Sequence, residues 1–592
     1  MNTEIQERLA ELRQAMTEAG IAATIIPQTD SHQSEYIADH WQVRRFLSGF
    51  TGSAGSLVVT ADKALLWTDS RYFLQAARQL EGTSIILMKD GLPGTPSIAD
   101  WLADELPEGS TVGIDMMVYS FSERDSLSTR LRRRGIKVVD FDPATVWADR
   151  PALPSCKIFV HDLKYAGRSA KDKIAEILQN AAKSADAVAV FISALDEIAW
   201  TLNIRSSDVQ YNPVATAFLY LSDTGSVLFT DPAKLTDEVI NYLASEGVAT
   251  KDYSDVLSFL GSLPVGARVL VEPGRNASKI FDTLGARAVE GESVVALPKA
   301  CKNDVQLAGV RAAMERDGVA LVKAFMEIER RLSVGEQLTE MDVADILRTM
   351  RSAQPLFFDE SFGTIAGYGP HGAIVHYEAD ETSNSIVQTG NLLLIDSGAQ
   401  YLDGTTDITR TISIGEPTEL QRHDFTLVMK GHIALARQIF PEGTRGAQLD
   451  ALARQFLWNE GLSYLHGTGH GVGHFLNVHE GPQSIRLNNV PATLQPGMIT
   501  SNEPGLYREN IHGIRCENLV LTVPAMQTEF GRFYRFETLT LFPFDLTLFD
   551  KTLMTEAEIN WVNDYHTLVR SRLSPLLNSA ERTWLEIKTR TL

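Results

Sequence analysis

Cysteine is almost absent from this chain of 592 residues: Cys156, Cys301 and Cys516 are its three, odd in number and far apart. That excludes a disulfide framework and a CxxC zinc site, and it suits a reducing compartment. Long apolar runs are missing as well. No window approaches 18 uncharged apolar residues, so no membrane span is predicted. At the start of the chain Ile5, Leu9, Leu12 and Met16 recur at helical spacing among charges. This reads as an amphipathic surface helix, whereas a signal peptide needs an unbroken apolar stretch. Positive charge is in deficit, with 54 basic against 75 acidic side chains and a formal charge of −21. Like charge repels at long range, which argues against a nucleic acid or an anionic membrane as a partner. The reading is a cytoplasmic protein.

What is present is ordinary globular material: 44% hydrophobic and 22% charged residues, with no repeat or low-complexity tract. At roughly 150 residues per domain, about three or four domains are predicted. Residues 1–150 alternate helices with strand-like runs such as 56–61 and 84–88, the pattern of an α/β layer. The proline-bearing stretch 148–155 marks a boundary. A second α/β block covers 151–300, with strands predicted at 187–193, 226–230 and 267–272 and a helix at 171–185. From 301 to 592 the texture changes. A long amphipathic helix over 304–332 leads into glycine- and histidine-rich hairpin patterns, of α+β character, and a helical extension covers about 545–592.

The chemistry lies in this third block. Histidine is scarce, 13 in all, yet His466, His470, His474 and His479 fall within fourteen residues. Interleaved glycines each cost a helix about 1 kcal/mol, so an extended or looping backbone is predicted there. A plain glycine-rich loop with exposed histidines is the alternative. Asp396 closes the apolar run LLLI, where an unpaired charge is costly, and Asp407 follows on a return strand. A turn near 401–402 sets the two opposite each other; a turn at 403–404 instead pairs Asp396 with Thr411. Asp403 and Asp380 read as loop carboxylates. Glu503 ends one strand and Glu517 lies inside the next, offset either by Arg515 or by a metal. Four carboxylates with imidazole suit Mn²⁺, Co²⁺ or Zn²⁺, and two such ions neutralise the four charges. A pair of metals is the arrangement that activates water for hydrolysis.

These segments resemble the pita-bread metallopeptidases of family M24, and within them the three-domain cytosolic Xaa-Pro aminopeptidases. The likeness rests on GPHGAIVHY (369–377), LLLIDSGAQYLDGTTDITRT, YLHGTGHGVGHFLNVHEGP (464–482), SNEPGLY (501–507) and GIRCENLV (513–520). It extends to RRFLSGFTGSAGSLVVT (44–60), DSRYF (69–73) and WVNDYH (561–566). It implies two creatinase-like α/β domains, 1–150 and 151–300, before a pita-bread catalytic domain. It implies a dinuclear site of Asp396, Asp407, His470, Glu503 and Glu517, holding Mn²⁺ with Co²⁺ or Zn²⁺ as alternatives. It makes Glu503 the proton acceptor, His376 and His479 the groups that orient substrate and steady the intermediate, and His466 a relay or positioning histidine. Arg44 matches an N-domain arginine near the substrate; His371 and His474 match no ligand position and read as surface or supporting residues. The implied substrates are peptides with proline second, and the implied assembly is a homodimer, for which Trp458 and the helical tail are candidate contacts unless Trp458 is core. A prolidase-like dipeptidase and a non-catalytic binding protein of the same fold are the rival readings.

Overall fold

The computed structural model describes residues 2–592. They form two compact units, one running to Asp162 and from Arg168 to Val295, the other made of Leu163–Gly167 and Ala296–Leu592.

The N-terminal unit contains two six-stranded sheets of the same topology. In the first the spatial order is Ile85–Lys89, Ala64–Thr68, Ser56–Thr60, Ala23–Pro27, Thr111–Ile114, Lys137–Asp140. In the second it is Val248–Lys251, Ser226–Phe229, Phe218–Ser222, Ala189–Ile192, Val269–Val271, Ala288–Glu290. Both mix antiparallel hairpins with parallel crossovers at the same places along the sheet. The predicted strands and the helix Ala170–Ala185 all fall within this pattern. The opening helix, Asn2–Glu18, buries Ile5, Leu9, Leu12 and Met16 against the first sheet, as its spacing requires.

The C-terminal unit is α+β. The helix Asp304–Ser333 starts at a capping box in which Asn303 and Gln306 satisfy each other's backbone N–H groups. It packs beside Glu340–Ser352. A three-stranded antiparallel sheet sets Asn391–Ser397 between Ile365–Tyr368 and Ile408–Ile414. A six-stranded sheet contains Gly469–Gly471, Ile499–Asn502 and Asn518–Thr528, and a separate hairpin joins Gly505–Arg508 to His512–Arg515. The helices Glu419–Ala436 and Glu556–Leu573 close one large apolar core over these sheets. Among the described residues no helix is long and apolar enough to cross a membrane. The three cysteines are unpaired with one another.

Candidate metal centre

Two ladders bring the acidic residues together. In the central hairpin Asp396 pairs with Thr409, and the same register continues through Gln400↔Thr405 and Tyr401↔Gly404. The turn is therefore centred on Leu402–Asp403, between the two positions weighed from sequence, and Asp407 is not directly opposite Asp396. The Asp304–Ser333 helix sets this register: Tyr401 donates to Asp317 (3.1 Å) and Asp403 pairs with Arg316. Asp403 is thus a buried, paired carboxylate and not a free loop one. Asp407 lies two residues before Thr409, diagonal to Asp396 on the same face of the hairpin.

In the second ladder Asn502 pairs with Asn518, so Glu503 and Glu517 come opposite each other one step beyond its end. Glu517 is not inside a strand, contrary to the sequence reading; it occupies the break between His512–Arg515 and Asn518–Thr528. The reason is in the backbone. The N–H of Glu517 donates to the Thr409 carbonyl (3.1 Å) and that of Glu503 to the Thr468 carbonyl (2.8 Å), so neither continues the ladder.

His470 is the centre of the extended Gly469–Gly471 strand, as the interleaved glycines predict. A Cβ on Gly469 would lie 2.0 Å from the Ser501 carbonyl oxygen, and one on Gly471 2.4 Å from that of Glu480. Only glycine lets the imidazole sit this deep. Its Nδ1 donates to the Gly471 carbonyl (3.0 Å), which leaves Nε2 as the nitrogen available to a metal. That Nε2 is 3.4 Å from Asp407 Oδ2 and 3.4 Å from Glu503 Oε1. Asp407, His470 and Glu517 each offer an atom within 4.8 Å of the others.

The electrostatics fit bound cations. Burial, then Asp407, Glu503 and Asp396, push the Glu517 carboxyl well above its ordinary range. Burial lifts Glu503 to about 7 against the pull of His470. Burial raises Asp396 too, partly offset by Arg515. Burial works against charge on His470, but Asp407 and Glu503 outweigh it and hold the ring at about 9. Asp396 Oδ1 and Glu517 Oε1 are buried with no hydrogen-bond partner, although their second oxygens are satisfied by Arg515 and Thr409. Orphaned carboxylate oxygens in a cluster of like charge are what divalent ions would satisfy.

The predicted histidines sit around this cluster in different ways. His479 meets the His470 ring edge-on at 4.4 Å. His466 donates from Nδ1 to the Gly467 carbonyl (2.7 Å), so its Nε2 accepts the Tyr507 hydroxyl proton (2.7 Å). The Tyr507 oxygen in turn accepts from Arg515 Nη1 (2.8 Å), completing a chain from His466 to Asp396. Arg515 therefore serves Asp396, not Glu517. His376 follows the turn Gly369–Ala373, which packs against the His512–Arg515 strand. His474 is buried rather than on the surface, and His371 bonds Glu340. Arg44 belongs to the N-terminal unit, where its buried guanidinium donates to the carbonyls of Phe50 and Gly52. Thr409, Ser501 and Tyr507 escaped the sequence reading. All three stand in quoted motifs, Ser501 and Tyr507 in SNEPGLY and Thr409 in the DITRT stretch, but only the contacts single them out: the Ser501 hydroxyl accepts from the His470 N–H (2.9 Å) and donates to Glu503 (3.1 Å).

Residues 308–524 match the metallopeptidase family M24, and 532–592 match the C-terminal region described for it. Residues 8–150 and 149–306 match two descriptions of a creatinase/prolidase N-terminal domain. Aminopeptidase P2 of Arabidopsis thaliana is 42% identical over 99% of this chain and 89% of its own. A probable Xaa-Pro aminopeptidase P of Aspergillus flavus is 42% identical over 99% of this chain and 92% of its own. The crystal structure of an X-prolyl aminopeptidase from Caenorhabditis elegans, described as a cytosolic enzyme with a dinuclear active site, superimposes with a TM-score of 0.96. That pair is 36% identical and covers 99% of this chain and 100% of the other.

Proposed function

This chain belongs to the Xaa-Pro aminopeptidases of metallopeptidase family M24, and from that premise we infer how its own residues hydrolyse an N-terminal Xaa-Pro bond. The observation that supports this most directly is the convergence of Asp396, Asp407, His470, Glu503 and Glu517, with two carboxylate oxygens left for ligation. These five residues would hold two divalent cations, which when bound polarise the scissile carbonyl and supply a nucleophilic water at neutral pH.

The rest is the protein's own work. Glu503, partly open on one side, takes the proton of the attacking water and returns it to the leaving nitrogen. His376 and His479 orient the substrate and stabilise the oxygen on which negative charge develops. His466, tied to Tyr507, holds or passes a proton beside them. An Xaa-Pro bond offers no N–H on its imide nitrogen, so recognition here relies on the substrate carbonyl and free amine.

We further propose Mn²⁺ as the native ion, the cytoplasm as its location and a homodimer as its assembly. Trp458 is 44% exposed at the end of its helix, and Leu465 nearby is 67% exposed. Trp458 is therefore not core, and the two residues are offered as the dimer contact.

The decisive experiment compares an Xaa-Pro-Xaa tripeptide with an Xaa-Pro dipeptide, using protein depleted of metal and reconstituted with Mn²⁺, Co²⁺ or Zn²⁺. Cleavage of the tripeptide, greatest with Mn²⁺, is expected. Cleavage of the dipeptide alone would make it a prolidase, and a protein that binds no metal would make it a binding protein.

A further inference from the structure

One buried carboxylate outside the metal cluster holds the segment that carries His376. Glu340 is the first residue of the Glu340–Ser352 helix, after the cap Thr339, and is 0% exposed. Its Oε1 accepts from the Tyr368 N–H (2.7 Å) and from His371 Nδ1 (2.9 Å). Its Oε2 accepts from the Ser385 N–H (2.8 Å) and the Tyr377 hydroxyl (2.8 Å). The Glu340 N–H closes the ring by donating to the Ser385 carbonyl (3.0 Å). The bonds thus span the whole stretch 368–385, and two of them grip residues on either side of His376, including its immediate neighbour Tyr377. The His371 and Tyr377 ring centroids also lie 4.4 Å apart, with the ring planes tilted by 31°. From the opposite side the turn is pinned by backbone contact: a Cβ on Gly513 would lie 1.7 Å from the Gly372 carbonyl oxygen.

We propose that Glu340 is the positioning residue for His376, fixing the loop so that the imidazole meets the substrate at one place. This rests on the substrate role given to His376 above. The chemistry singles out an ionised carboxylate. Tyr368 and Ser385 present backbone N–H groups, which can only donate, to opposite oxygens of Glu340. A carboxamide must turn its NH₂ toward one of them, leaving a donor against a donor in a dry site. Glutamine, although equal in size, therefore cannot replace it. A loop freed at one anchor moves His376 by a fraction of a residue length, and misplacement of about 1 Å can cost about 100-fold in rate.

The test is a double-mutant cycle of Glu340→Gln and His376→Ala, with kcat/KM on an Xaa-Pro-Xaa peptide and bound metal per chain as readouts. Glu340→Gln is expected to lower kcat/KM by about 10- to 100-fold with metal content unchanged. In the His376→Ala background it should lower it by less than about twofold, because the group it positions is gone. Equal loss in both backgrounds, or loss of metal, overturns the proposal. If His376→Ala alone leaves kcat/KM unchanged, the role of His376 fails first and the proposal with it. Should Glu340→Gln not fold, the same cycle with Tyr377→Phe, which removes one of the four donors, decides in the same way.

Discussion

Arg515 and Asp396 form a buried ion pair in which Nε (3.1 Å) and Nη2 (2.6 Å) both converge on one carboxylate oxygen, Oδ2. The other oxygen, Oδ1, is buried with no hydrogen-bond partner. The guanidinium thus orients the Asp396 carboxylate while leaving Oδ1 open, and its remaining Nη1 steadies Tyr507. Lysine presents a point charge and cannot reach both partners. Arg515→Lys is expected to weaken metal binding by about 10- to 100-fold, measured by titration with Mn²⁺ and by elemental analysis. Unchanged affinity would mean that Asp396 does not need this support.

Glu503 is the carboxylate of the candidate metal cluster with most solvent access, its side chain 17% exposed. Glu503→Gln keeps the shape and removes the proton acceptor. The expected result is a fall in kcat of about 100- to 10,000-fold with thermal stability within a few degrees of the parent. Retained turnover would assign the proton to another group.

His566 carries a pH dependence of stability that can be worked out from its bonding. It is buried, and its Nε2 accepts from the Phe544 N–H (3.0 Å), so the ring is neutral in the folded state. Burial, then Arg410 and Arg570, push it from 6.5 to about 3. The unfolded chain binds this proton below pH 6.5 while the folded chain does not. Its contribution is therefore fully present above about pH 6.5 and is lost as pH falls toward about 3, at up to about 1.4 kcal/mol per pH unit. Glutamine can accept the same N–H without titrating. Denaturant unfolding between pH 7 and 4 should show a shallower loss for His566→Gln, and parallel curves would count against the assignment.

Gly513 faces the Gly372 backbone too closely for any side chain. Gly513→Ala is expected to cost about 1–3 kcal/mol and to reduce kcat, since the displaced turn leads to His376. Gly266, where an added Cβ meets nothing within 4 Å, is the control and should show neither effect. Calorimetry and peptide hydrolysis on both variants check this.

Much of the metal cluster was legible because its members violate local expectation. Asp396 ends an apolar strand, Glu517 follows a buried cysteine, and His470 sits among glycines that no helix would tolerate. Five of the twelve strands in the two N-terminal sheets, near 56–61, 84–88, 187–193, 226–230 and 267–272, were legible from their apolar runs. Their common topology was not, because strand order arises from pairings between distant segments whose sequences, such as ATIIP and AVFI, share only an apolar character. The hairpin register was hidden for a related reason. It depends on Tyr401 and Asp403 meeting Asp317 and Arg316 from a helix some 85 residues earlier. Thr409 was invisible because one threonine in an alternating strand looks like another, and only its 2.8 Å bond to Glu517 distinguishes it.

The continuous register from Asp396↔Thr409 to Tyr401↔Gly404 also sets a rule for how this loop can change length over evolution or in engineering. With the turn kept at Leu402–Asp403, adding one residue between Asp403 and Asp407 would shift the parity of the return strand and send Asp407 to the opposite face of the sheet. Adding two would restore its direction. Length changes within the paired strands of this hairpin therefore keep Asp407 beside Asp396 only in even steps, whereas an odd residue must be looped out at the turn or in a bulge.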